Sequence, residues 1–106
     1  MDTTEAVVVD LDGMVEVADQ GIVSKAIVEN EHHKIIHFTL AAGQELSEHT
    51  ASVPAVIHVL QGEGTVTLGG VTHVARPGTL CYMPAELRHA VVAEGDLVFL
   101  LTMFRT

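Results

Sequence analysis

Glycine, proline and acidic turn residues cut this 106-residue chain into short β-branched segments, and none of those segments holds a sustained helical period. Segments so short bury an apolar face only by pairing with one another, which makes this punctuation the tightest constraint on the fold. It predicts strands near 6–9, 14–17, 22–29, 34–41, 46–50, 55–61, 64–68, 71–75, 80–83, 89–93 and 97–104. The breaks fall at Gly43, Gly62-Glu63-Gly64, Pro77-Gly78, Pro84-Ala85 and Glu94-Gly95-Asp96. Gly69-Gly70 is the clearest of the turns, because a two-residue glycine loop suits the primed turns of tight antiparallel hairpins. It sets Leu68 opposite Val71, Thr67 opposite Thr72 and Val66 opposite His73. About ten short strands in one hundred residues predict an all-β sandwich or barrel in a single domain spanning 1–106.

Composition narrows the chemistry. Aromatic residues make up 4% of the chain and Trp is absent, so the core has to be aliphatic. Fourteen acids against five bases give a net charge of −9, and Lys25, Lys34, Arg76, Arg88 and Arg105 are scattered along the chain. With no basic patch to neutralise phosphates, neither nucleic acid nor an anionic membrane is an expected partner. Six acids and no base fall within residues 1–19, a segment expected at the surface. Cys81 is the single cysteine, so no intrachain disulfide is possible. The acidic start MDTTEAVVVDLDG is unlike a signal peptide, and no apolar run approaches the roughly 20 residues of a membrane span, so the expected location is cytoplasmic. The surplus in the composition is histidine, seven residues against five Lys plus Arg.

Two stretches resemble the paired motifs of the cupin superfamily, small β-barrels of jelly-roll type. In the first, G-x5-H-x-H-x3-4-E-x6-G, Gly43 is followed by five residues and His49, and Gly62 takes the final glycine position. In the second, G-x5-P-x-G-x2-H-x3-N, Gly78, Pro84 and His89 stand in register. Fifteen residues separate Gly62 from Gly78, the short hairpin linker of single-domain cupins. The resemblance covers residues 40–104 and implies a double-stranded β-helix, with 34–106 as the conserved barrel portion and 1–33 as N-terminal strands and loop. It also implies a divalent transition metal (Zn, Fe, Mn, Ni or Cu) held by two histidines and a glutamate of the first motif and one histidine of the second. Here the second histidine position is Ala51, the glutamate position is Ala55, the second-motif glycine is Glu86 and the asparagine is Ala93. Only His49 and His89 remain of the four usual ligands.

Imidazole is the natural replacement, since it suits all of those metals. His58, three residues beyond Ala55 on an apolar strand, is the candidate third ligand beside His49 and His89. Strand alternation turns position 58 away if position 55 faces the cavity, whereas a bulge near Pro54 reverses that parity. Both faces of the segment are apolar, and the register stays open. His37 is a candidate cavity-lining residue: its strand alternates Ile35, His37, Thr39 against Ile36, Phe38, Leu40, and burial of the more apolar set turns it outward, while the resemblance makes this strand line the cavity. Met103, on the last strand, is a further lining candidate. His32 and His33 fall in a charged loop, and His73 falls at the rim of the tight hairpin. Cys81, in Leu80-Cys81-Tyr82-Met83, reads as a buried structural thiol.

Two functions compete. A His49–His58–His89 centre with open coordination positions suits metal-assisted chemistry on a small molecule, of isomerase or dioxygenase type. Loss of half the usual ligands, with no acid–base pair in the motifs, suits a non-catalytic barrel that binds or senses a small ligand. Either form is expected as a homodimer.

Overall fold

Alternation along the chain builds two facing sheets. The structure, a computed structural model, describes residues 5–105. Nine strands run through the described residues: β1 (Ile22–Glu29), β2 (His33–Leu40), β3 (Glu45–His49), β4 (Ala55–Gln61), β5 (Gly64–Leu68), β6 (Val71–Ala75), β7 (Leu80–Met83), β8 (His89–Ala93) and β9 (Leu97–Phe104). They form a five-stranded sheet in the order β1-β2-β9-β4-β7 and a four-stranded sheet in the order β3-β8-β5-β6, with every described pairing antiparallel. The result is an all-β fold of two facing sheets, as the turn spacing predicts, and a double-stranded β-helix, as the resemblance implies. The β5–β6 hairpin adopts the predicted register, Leu68 to Val71, Thr67 to Thr72 and Val66 to His73.

Directly paired residues share a face of their sheet, so the register identifies the inner wall. In the five-stranded sheet Leu40, Phe38 and Ile36 pair with Leu97, Phe99 and Leu101, and Ile57 pairs with Leu101 on one side and Cys81 on the other. Phe38 and Phe99 stack with ring centroids 5.0 Å apart. The four-stranded sheet answers with Val66, Val91 and Ala93, all buried. Each fully buried Val, Leu, Ile or Phe contributes about 1.5–3 kcal/mol, so an aliphatic interior with two stacked rings is sufficient without Trp. Cys81 faces this core, and burial raises its thiol pKa above the usual value, which keeps it protonated.

Backbone crowding fixes one motif glycine. Gly62 has φ +82°, and a β-carbon there would stand 1.8 Å from the Asp96 carbonyl oxygen. No side chain fits between the β4–β5 turn and the segment leading into β9.

The N-terminal strands predicted at 6–9 and 14–17 are not formed. Residues 12–14 make a single 3-10 turn, closed by Met14 N–H donating to the Leu11 carbonyl at 3.1 Å. The segment crosses the outer face of the five-stranded sheet instead of extending its edge. Glu16 N–H donates to Thr39 Oγ1 at 3.5 Å, Lys25 Nζ meets Glu16 Oε1 at 3.1 Å, and Gln61 Nε2 donates to Asp12 Oδ1 at 3.2 Å. A segment anchored through side chains and lying on a face has no ladder to join, whatever its β-propensity.

Candidate functional site

A bulge in β3 creates the site. Leu46 pairs with Val91 and points into the barrel, so regular alternation would send His49 outward. The register shifts between Leu46 and His49, and this extra residue brings His49 opposite His89 on the inner face. The two rings lie 4.1 Å apart between centroids at an interplanar angle of 61°. His89 is buried at 7% exposure, while His49 stands at the open end.

Each ring is held in the same way. His49 Nδ1 lies 2.7 Å from the Ser47 carbonyl oxygen, and His89 Nδ1 lies 2.9 Å from the Leu87 carbonyl oxygen. A carbonyl only accepts, so Nδ1 carries the proton in both neutral rings and the lone pair is on Nε2. Metal-binding imidazoles are oriented by this type of bond, in which the nitrogen not facing the ligand donates to a backbone carbonyl. Beside the pair, Arg88 Nε and Glu48 Oε1 approach to 3.9 Å at the surface, a contact too exposed to contribute much.

The rings open on a cavity of about 390 Å³ lined by His49, Thr50, Ala51, Ser52, Ala55, Met83, His89, Leu101 and Met103. Its floor is Ala55 and Met83, and its mouth carries the Thr50 and Ser52 hydroxyls. Among the described residues no carboxylate lines it. The volume suits a small molecule held mainly by apolar contact with a few polar groups at one end.

His58 is not part of this cavity. β4 pairs with β7 without interruption from Ala55 to His58, and its alternation buries Ala55, Ile57 and Val59 while leaving His58 exposed on the outer face. The parity change considered at Pro54 does not occur there, so the expected third ligand is absent and the divalent three-histidine centre loses a donor. Among the described residues no three His, Cys, Asp or Glu side chains group so as to hold a metal ion.

His37 is not a cavity residue either. Its partners are Lys25 and Leu100, all on the outer face, yet it is only 1% exposed because the N-terminal segment covers it. Its Nε2 has no hydrogen-bond partner. Burial, and then the nearby Lys25 charge, hold its pKa below the usual 6.5, with backbone groups of Leu11 and His37 itself opposing the shift. His32, His33 and His73 are exposed.

Met103 lines the cavity, and so does Met83, a residue that sequence reasoning did not single out. Its signal lay in the register: Met83 is the in-register partner of Ala55, as Met103 is from the opposite side.

A two-sheet antiparallel β-helix with an imidazole pair at one open end defines a small β-barrel with a cavity between its sheets. Residues 36–104 match the Cupin domain family, and the chain belongs to that family. Among solved structures it is similar to an RmlC-like cupin from Desulfovibrio desulfuricans, at 32% identity and a TM-score of 0.86, covering 95% of this chain and 98% of that one. It is also similar to a conserved protein of unknown function from Streptococcus pyogenes, at 27% identity and a TM-score of 0.86 over 96% of this chain and 90% of that one. Among curated proteins, a dimethylsulfoniopropionate lyase, DddW of Ruegeria pomeroyi, is 37% identical over 54 residues, which cover 51% of this chain and 36% of that relative. The matched segment is thus about a third of the lyase's length.

Proposed function

We propose that the chain binds a small, largely apolar molecule in this cavity, next to a transition-metal ion held on Nε2 of His49 and His89. The carrying observation is the pair of Nδ1 bonds to the Ser47 and Leu87 carbonyls, which leave both Nε2 lone pairs for a ligand. A metal bound there would supply Lewis-acid polarisation of a substrate oxygen or activation of bound water. The chain's own residues would orient the rings, exclude water through Ala55, Met83 and Leu101, and offer the Thr50 and Ser52 hydroxyls at the mouth. The partial match to a lyase makes elimination on a small substrate the first reaction class to assay. The lining without a carboxylate favours a second reading, ligand binding without catalysis. A cytoplasmic homodimer formed through the outer face of β7, where Leu80 and Tyr82 stand exposed, belongs to the same proposal, and light scattering showing a monomer would remove the dimer.

Metal analysis of protein purified without chelators tests the site. The expected result is about one equivalent per chain, lost in His49→Ala and in His89→Ala and kept in His58→Ala. Metal kept undiminished in both of the first two variants would sink the proposal. Protein that binds no metal but still binds small molecules in the cavity would support the second reading.

A further inference from the structure

Two rows of side chains face one another across the cavity. On the four-stranded sheet His49 and His89 are in-register partners. On the five-stranded sheet Ala55 is the in-register partner of Met83 on one side and of Met103 on the other. All five residues line the same cavity. Strands lie about 4.8 Å apart, so the two methionine Cα atoms sit roughly 9–10 Å apart with only the Ala55 methyl between them on the inner face. Methionine has three flexible torsions, and an alanine between two of them leaves space for both thioethers over one spot.

The placement is selective. The chain has four methionines, and among the described residues Met83 is the one that joins the fully buried core, which is otherwise Leu, Ile, Val, Phe, Ala and Cys. Two of the four line the cavity that also holds the imidazole pair. The two thioethers thus stand in the wall of the cavity that holds the imidazole pair.

The donor chemistry then discriminates between ions. Imidazole nitrogen and thioether sulfur are neutral, and thioether is soft, a combination that favours Cu(I) over harder divalent ions. A divalent ion in this apolar lining would carry two charges with no carboxylate to balance either, while a monovalent ion halves that burden. The Cys81 thiol does not line the cavity.

We infer that His49, His89, Met83 and Met103 together form a soft nitrogen-and-sulfur site that takes Cu(I) in preference to divalent metals. This rests on the reading above that the imidazole pair holds a metal. The test is anaerobic titration with Cu(I) against a chromophoric Cu(I) chelator, run beside Zn(II) titration, on wild type, Met83→Leu, Met103→Leu and the double variant. Leucine keeps the volume and apolar character, and circular dichroism checks that each variant is folded. The expected result is stoichiometric Cu(I) binding that weakens at least roughly tenfold in the double variant, with Zn(II) binding unchanged. Copper-edge X-ray absorption should show sulfur scatterers in wild type, replaced by selenium when the protein is made with selenomethionine. Zn(II) bound as tightly as Cu(I), or Cu(I) affinity indifferent to both methionines, overturns the soft site and leaves the metal reading standing. Failure of wild type to bind either ion overturns both.

Discussion

His49 and His89 face each other as paired residues of β3 and β8, and each donates its Nδ1–H to the carbonyl two positions before it. The two halves of the pair come from distant parts of the sequence but are held by the same local device. What differs is burial, since His89 lies in the wall and His49 at the opening. His89→Ala therefore leaves a hole and an unpaired Leu87 carbonyl and should cost about 2–3 kcal/mol in urea unfolding. His49→Ala should cost less than about 1 kcal/mol. Equal losses for the two would contradict the placement of His49 at the mouth.

Glu86 occupies the second-motif glycine position with φ +68°, a left-handed conformation that side chains resist. Its N–H donates to the Ala51 carbonyl at 2.8 Å, so the turn is held in place from across the cavity mouth. Glu86→Gly should raise stability by about 1 kcal/mol, read as an increase in the thermal midpoint. A fall in the midpoint would show that the carboxylate contributes more than the strain costs.

Two glycines separate conformation from contact. Gly43 (φ +86°) has nothing within 4 Å of a built β-carbon, while Gly62 (φ +82°) has the Asp96 carbonyl oxygen at 1.8 Å. Gly43→Ala should cost about 1 kcal/mol, whereas Gly62→Ala should cost more than about 4 kcal/mol or prevent folding. Denaturant titration of the two variants side by side measures the difference.

His37 makes stability depend on pH. The folded ring binds its proton more weakly than an ordinary histidine near 6.5, so as pH falls below that value the unfolded chain takes up a proton first. Stability is therefore complete above about pH 6.5 and declines below it, by at most about 1.4 kcal/mol per pH unit for this group, until the folded ring titrates. Lys25 opposite it on β1 adds repulsion, while Glu16, the Lys25 partner, lies on the covering segment. His37→Gln should flatten this part of the profile in urea midpoints taken between about pH 7.5 and 5.5. An unchanged slope would assign the dependence to other groups.

The barrel was legible because strand pairing follows local signals. Gly69-Gly70 set the hairpin register, and the turn glycines marked most strand ends to within a residue. The segment before Ile22 was misread because its valines lie exposed or against a sheet face, and propensity does not distinguish a strand from a strap. Alternation turns His58 outward only if Ala55 faces the cavity, a parity that two apolar strand faces leave open and that the uninterrupted β4–β7 register fixes. The bulge that matters lies in β3, at Ser47 and Glu48, where no glycine or proline announces it. His37 shows the opposite limit: parity put it outside, and burial came from a segment distant in sequence. Met83 became visible only once β4 had neighbours on both sides.

In the proposed site the Nε2 atoms of His49 and His89 face one ligand. Long-range proton–nitrogen NMR of the histidine rings, before and after addition of a metal ion, tests it most directly. Both rings should carry the proton on Nδ1 without metal, and the Nε2 resonances of His49 and His89 should move together on titration while those of His58 and His37 stay fixed. Rings carrying the proton on Nε2, or a metal response at His58 with none at His89, would contradict it.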